Sequence, residues 1–97
     1  MKKEDVVYTD TFKKYLNYCN EEALVLPPEF ASALVGVAHQ FTKTLAVYDS
    51  AKVIEVIMER DNVTKEEAQE HFDYNIQGAY VGEHTPLFLD KIDDIIF

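Results

Sequence analysis

The sequence predicts an α+β domain in which a small, mainly antiparallel sheet packs against helices. Two extended apolar runs, separated by a short polar interval, predict a hairpin over residues 33–48. Amphipathic segments with helical spacing lie before and after that hairpin. A chain of 97 residues supports one domain of modest buried surface. The remaining predicted elements are helices at about 10–21, 50–60 and 64–77 and a strand at about 85–89.

The first predicted helix carries one apolar stripe. Its members recur at i, i+3, i+4 and i+7, and they are Phe12, Tyr15, Leu16 and Cys19. This spacing predicts a packed thiol instead of a nucleophile, with Asn20 among the residues turned away from the core. Two prolines at 27–28 then stop helical structure. They divide the single domain 1–97 into a helical N-terminal arm, 1–26, and an α+β core, 27–97.

Residues 30–41 fit the spacing of either a helix or a strand. Gly36 and its β-branched neighbours favour a strand. A second extended run, TLAVYD, follows the polar interval TK, and the pair therefore predicts a hairpin.

The second predicted helix is apolar over more than half of its circumference, through residues 53–58. Asp49 and Ser50 are both suited to cap its N-terminus. Such a wide apolar face indicates either the central helix of the core or a subunit interface, and we favour the core. Asn62 is suited to the left-handed conformation that commonly ends a helix.

The third predicted helix begins at Thr64, which forms a T-x-x-E capping box with Glu67. Gly78 is predicted to end it. One face carries acidic side chains that form either a solvated face or part of a broad negative surface. The acidic members are Glu66, Glu70 and Asp73.

After this helix, Gly82 is predicted to allow a turn into TPLFL, a short strand with proline near its start. The final residues, DKIDDIIF, predict a turn or helix with inward isoleucines. These isoleucines are Ile92, Ile95 and Ile96.

Four motifs follow one another along residues 33–89: GVA, VYD leading into K-V-I-E-x-x-M, E-E-A, and F-x-Y-N-x-x-G-A-Y-V-G-E-x-T-P-x-F. In these motifs the chain resembles a widespread family of short, uncharacterised phage and bacterial proteins. The resemblance implies a phage or prophage origin and an α+β fold, and it implies no particular activity. Two positions depart from the family pattern: Asn62 stands in place of glycine and Ser50 in place of an aromatic residue.

The composition sets limits on function. A formal net charge of −9 disfavours direct nucleic-acid binding and suits either simple solubility or docking on a basic surface. One cysteine excludes an internal disulfide and favours a reducing compartment.

Neither a signal peptide nor an apolar run long enough to cross a bilayer is evident, so the prediction is a cytoplasmic protein without membrane association. Its small size also predicts homo-oligomerisation.

The segment FDYNIQGAYVGEHTPLFL contains the candidate recognition cluster. An amide at Asn75, beside an apolar helix face, predicts either a hydrogen bond to the backbone of the following loop or a ligand contact. The loop side chains form an exposed recognition patch. Together the predicted cluster comprises Asn75, Tyr80, Glu83 and His84.

No cofactor motif or metal-ligand spacing is present in the sequence, so none is predicted. The leading hypothesis is a non-enzymatic, phage-type accessory protein that binds a host or phage protein through its acidic surface, and inhibition of that protein is one role such docking would serve. The alternative is a small-molecule or nucleotide-binding protein with a pocket near residues 75–84. The third hypothesis is an enzyme that uses His71, Glu83 or His84.

Overall fold

A computed structural model describes residues 3–79 and 82–96 of the chain, with side chains for 10–79 and 82–95. The predicted α+β fold is confirmed. In chain order the elements are α1 (Lys3–Cys19), a 3-10 helix (Pro28–Ala33), β1 (Leu34–Gln40), β2 (Lys43–Asp49), α2 (Ser50–Asp61), α3 (Lys65–His71), a π-helix (Phe72–Gln77), β3 (Leu87–Leu89) and α4 (Ile92–Ile96).

The described residues contain one three-stranded sheet in the order β1-β2-β3. Strands β1 and β2 are antiparallel, which confirms that the ambiguous segment 30–41 contains a strand. Strand β3 lies parallel to β2, with Leu87 opposite Val47. Parallel neighbours need a long crossover, and α2, α3 and the π-helix supply it between β2 and β3.

The hairpin turn lies one residue earlier than the polar interval TK predicts. Gln40 pairs with Lys43, so the two loop residues are Phe41 and Thr42. A two-residue hairpin loop needs a positive φ, and Phe41 adopts 56°. Its side chain is 95% exposed instead of lying on a strand face.

Helix α1 begins at Lys3, well before the predicted residue 10, and ends at Cys19. Only part of the predicted stripe faces the core: Leu16 is buried and Phe12 packs against the core cluster. The prediction that Cys19 is packed is wrong, because its side chain is exposed at the last residue of the helix. One turn beyond Leu16 the chain leaves the helix, so Cys19 has no part in the core cluster.

Helix α2 is the centre of the core. Val53 and Ile57 are completely buried, so the predicted core location is confirmed and the apolar face does not require a subunit interface. Asp49 caps its N-terminus by accepting a hydrogen bond from the Ala51 amide, and Asn62 ends it with a φ of 53°. Around α2 the buried cluster draws from every helical segment before β3; its members include Leu16, Leu26, Phe30, Ala33, Ala46, Tyr48, Ala68, Phe72 and Ile76.

The third predicted helix consists of α3 followed by a π-helix. The π-type turn shows in the hydrogen bond that the Gly78 amide donates to the Asp73 carbonyl, five residues earlier, over 3.0 Å. Gly78 ends the segment, as predicted, but with a right-handed φ of −76°. A Cβ at Gly78 would lie 3.0 Å from the carbonyl oxygens of Asp73 and Tyr74, so close backbone approach is what requires glycine there.

The prediction that the C-terminal isoleucines point inward is wrong for Ile92 and Ile95, which are 70% and 68% exposed. The side chain of Ile96 lies outside the described residues. Helix α4 has five residues and follows the edge strand β3 after two residues. Lys91, just before it, pairs with the buried Asp49 over 3.1 Å, and this hydrogen bond raises the lysine pKa.

The capping box at the start of α3 yields a first testable prediction. Thr64 accepts a hydrogen bond from the Glu67 amide, and the Glu67 carboxylate accepts one from the Thr64 amide, which lowers the carboxyl pKa. Because Thr64→Ala removes one of the two partners, we expect the free energy of unfolding to fall by about 1 kcal/mol. Urea unfolding measures this change. Thr42→Ala, at an exposed turn position, is the control with an expected change below about 0.5 kcal/mol.

Candidate functional site

Three acidic side chains project from α3 and the π-helix into solvent, and we call Glu66, Glu70 and Asp73 the acidic ridge. All three residues are exposed. Within residues 10–79 and 82–95 none of them forms an ion pair, while Asp73 accepts a hydrogen bond from the side-chain Nε2 of Gln69 over 3.0 Å. The predicted exposure of this face is confirmed, and its negative charge is not neutralised by a described cation.

A shallow groove of about 390 Å³ runs along one flank of the ridge. Tyr74 lines it with its side chain 80% exposed. An exposed tyrosine beside carboxylates is typical of the contact surfaces of proteins, where aromatic residues are enriched. The other polar lining residues are Asp61, Glu67, Glu70, His71 and Asn75.

Arg60, near the end of α2, contacts two residues that line the groove, Asp61 and His71. Its guanidinium binds both carboxylate oxygens of Asp61 over 2.9 Å and reaches Glu29 of the 3-10 helix over 3.2 Å. It also lies 5.7 Å from the ring centre of Phe30, within the range of a cation–π contact. The hydrogen bonds from Arg60 lower the pKa of Asp61, so this carboxylate stays ionised to lower pH than usual.

His71 connects Arg60 to Asn75. Arg60 donates from Nη2 to His71 Nε2 over 3.2 Å, and arginine has no acceptor atom. Nδ1 of His71 likewise faces a donor, the side-chain nitrogen of Asn75 at 3.3 Å; a neutral imidazole has one acceptor nitrogen, so His71 accepts from Arg60 or from Asn75 and not from both at once. In the described residues the side chain of Asn75 therefore faces His71 in the preceding helical turn, and the predicted bond to the backbone of the following loop is not seen in the described part of that loop.

On the other flank of α3 lies a cavity of about 590 Å³, bounded by α2, α3, the π-helix, β3 and the start of α4. Its floor is apolar, since Ile54 and Phe72 are buried and Met58 and Phe88 are half-buried. The rings of Phe72 and Phe88 meet edge to face at 5.0 Å. Polar groups form its rim: Ser50, Glu55, Lys65, Gln69, Gln77, Asp90 and Asp94.

The loop histidine belongs to a separate polar network at the end of α1. Asn20 donates from Nδ2 to the Thr44 carbonyl and to His84 Nδ1, both over 3.1 Å. A neutral His84 therefore carries its proton on Nε2 and donates it to Glu22 over 2.7 Å. The His84 carbonyl also accepts a hydrogen bond from the Leu24 amide. This network, which we call the Asn20 latch, fastens the loop before β3 to α1 and β2.

The structure does not gather the predicted recognition cluster into one patch. Asn75 lies with His71 beside the acidic ridge, whereas His84 lies in the Asn20 latch and Glu83 pairs with Lys43 of β2 over 3.3 Å. Tyr80 lies outside the described residues. His71 and His84, two candidates for acid-base chemistry, therefore belong to different hydrogen-bond networks in the described part of the chain. Across residues 10–79 and 82–95, no group of three or more His, Cys, Asp or Glu side chains is placed to hold a metal ion.

Sequence reasoning missed Asn20, Arg60 and Tyr74. Asn20 was predicted to turn away from the core, yet it is half-buried, because its partners Thr44 and His84 are distant along the chain. The sequence offered one indication that Arg60 has a special role, because it is the sole arginine of the chain. Tyr74 gave none, because an aromatic residue in an amphipathic helix is more often buried.

The Asn20 latch supplies a second testable prediction. Asn20→Ala leaves the Thr44 carbonyl and His84 Nδ1 without their donor, so we expect the free energy of unfolding to fall by about 1–3 kcal/mol. The amide of Leu24, bonded to the same loop, is expected to exchange its hydrogen faster. Asn17→Ala, one turn earlier on α1 and exposed, is the matched control. Equal stability of the two variants would show that the latch does not hold the loop.

No protein-family model, curated protein or solved structure matches this chain. The resemblance to short phage and bacterial proteins therefore stays a prediction. Among the described residues, no helix has both the length and the apolar character needed to cross a membrane.

Proposed function

We propose that this protein is a non-enzymatic accessory protein that binds a protein partner, with the acidic ridge and Tyr74 docking on a basic surface of that partner. The observation that carries the proposal is the set of three exposed carboxylates without a described cationic partner. Opposite charges at the rim of an interface speed association and select the partner, while an exposed tyrosine supplies contact area.

The distribution of charge supports the same surface. The stretch from Glu59 to Asp73 holds six acidic and two basic residues. Of the two basic side chains, Arg60 is paired with Glu29 and Asp61. The net field over this part of the molecule is therefore negative, which attracts a cationic surface and repels a phosphate backbone.

The small-molecule alternative has one structural observation in its favour, because a cavity of about 590 Å³ has the size of a ligand pocket. It reaches the predicted segment 75–84 at Gln77. Three carboxylates and one lysine line it, however, and this balance disfavours the phosphates of a nucleotide. The ridge and the groove, which are open and flat, fit a protein better than a metabolite.

Affinity capture tests the proposal. The immobilised protein is incubated with extract of the host cell at low salt, beside a variant with Glu66→Lys, Glu70→Lys and Asp73→Lys. We expect the wild type to retain a protein with a basic surface and the reversed variant to lose it. A control with Asp10→Lys, Glu21→Lys and Glu83→Lys changes the net charge equally at exposed positions outside the ridge and the cavity lining. If both variants capture the same protein as the wild type does, the ridge is not the docking surface.

A further inference from the structure

The cavity beside α3 has an apolar floor that is open to an external group. Ile54 and Phe72 are buried beneath it, while Met58 and Phe88 line it with half-buried side chains. A volume of about 590 Å³ lies well inside the range of sites that accept a ligand or a group of side chains. Contact with such a floor favours an apolar group, since burial removes apolar surface from water.

The charge around the cavity is negative. Asp90 and Asp94 belong to its lining, and neither forms an ion pair within residues 10–79 and 82–95. Lys91, between them in sequence, forms its ion pair with the buried Asp49, although its pKa is also raised by the nearby charge of Asp94. Glu55 adds a third carboxylate and is paired with Lys52 over 3.8 Å. Among the described residues that line the cavity, Lys65 is the one basic side chain. The net charge of the lining is therefore negative, which favours a cation next to the apolar group.

The cavity also adjoins the acidic ridge. Gln69 lines the cavity and donates a hydrogen bond to Asp73 of the ridge over 3.0 Å. Asp73 of the ridge and Gln69 of the cavity lining are therefore in direct contact, so a chain bound along the ridge lies next to the cavity.

We propose that the cavity is the specificity pocket for the partner: it receives a segment in which an apolar side chain lies next to lysine or arginine. The inference rests on the proposed function and adds what the partner must contain. The apolar side chain packs on Met58 and Phe88, and the neighbouring cation lies against Asp90 and Asp94. A basic surface without an apolar side chain binds the ridge alone.

Nuclear magnetic resonance with short peptides tests the pocket on the whole chain. The probes are three acetylated and amidated pentapeptides with serine at both ends and a central triplet of lysine-leucine-lysine, serine-leucine-serine or lysine-serine-lysine. Methyl signals of Ile54 and Met58 report on the cavity, and amide signals of Glu66 and Glu70 report on the ridge. We expect the lysine-leucine-lysine peptide to shift the cavity methyls with an affinity at least about tenfold above that of either other peptide, or about 1.4 kcal/mol.

Two variants localise the effect. Asp90→Asn with Asp94→Asn is expected to remove the preference for lysine-leucine-lysine over serine-leucine-serine, and both positions are exposed, so the fold is retained. Met58→Trp fills the cavity and is expected to abolish the shift of the Ile54 methyl, whereas Val35→Trp, at an exposed position of β1, leaves it unchanged.

Each remaining outcome overturns a defined part of the account. If lysine peptides shift the ridge amides while the cavity methyls stay fixed with every peptide, the pocket inference fails and the proposed function stands. Equal affinity for the peptides with and without lysine would show that the carboxylates do not select a cation. If neither set of signals moves with any peptide, both the pocket inference and the ridge as a binding surface for basic segments are contradicted.

Discussion

Replacing Ile57 by alanine is expected to lower the free energy of unfolding by about 2–5 kcal/mol. Ile57 is 0% exposed and lies at the centre of α2, where it belongs to the same buried cluster as Ala46 and Phe72. The substitution removes apolar contacts and leaves a cavity that the surrounding side chains fill only in part. A small domain has roughly 5–15 kcal/mol of total stability, so the loss is a large fraction of it.

Urea unfolding followed by circular dichroism measures this effect as a lower midpoint with an unchanged slope. Ile92→Ala is the matched control, because the same groups are removed from a side chain that is 70% exposed. Its expected change is below about 0.5 kcal/mol. Equal destabilisation by the two substitutions would contradict the assignment of α2 to the centre of the core.

The second large effect concerns the acidic ridge. Reversal of Glu66, Glu70 and Asp73 to lysine is expected to slow association with the captured partner by about tenfold to a thousandfold, because electrostatic steering acts mainly on the association rate. Dissociation is expected to change less. Surface plasmon resonance separates the two rate constants.

Two controls accompany this measurement. The neutral variant with Glu66→Gln, Glu70→Gln and Asp73→Asn is expected to give an intermediate rate, since it removes attraction without adding repulsion. The reversed variant with Asp10→Lys, Glu21→Lys and Glu83→Lys has the same net charge as the ridge variant and is expected to associate much faster than it does. Identical rates for the two reversed variants would show that only net charge matters and not the position of the ridge.

Features with local causes could be predicted from the sequence. The capping box of Thr64 and Glu67 needs two residues of one turn, and the left-handed end of α2 at Asn62 depends mainly on that residue itself. The strand at 34–40 was predictable because Gly36 and a second extended run agreed. The exposure of the acidic ridge followed from the helical period of α3 and the buried positions opposite it.

Features that depend on distant partners could not be predicted. Asn20 bonds groups 24 and 64 residues away, and no pattern near Asn20 indicates either. The exposure of Phe41 follows from a shift of the turn by one residue, which exchanges the roles of neighbouring side chains. Cys19 and Ile92 are exposed for a similar reason. The spacing of apolar residues predicts which side chains share one face of a helix, but it does not predict how far a neighbouring element extends to cover that face.

Carboxyl footprinting of the purified complex tests the central claim most directly. A carbodiimide and an amine label exposed carboxylates, and mass spectrometry gives the labelled fraction of each with and without the partner. We predict that labelling of Glu66, Glu70 and Asp73 falls on binding, while labelling of Asp10 and Glu21 is unchanged. Undiminished labelling of the ridge, with protection confined to α1 or the hairpin, would contradict the account.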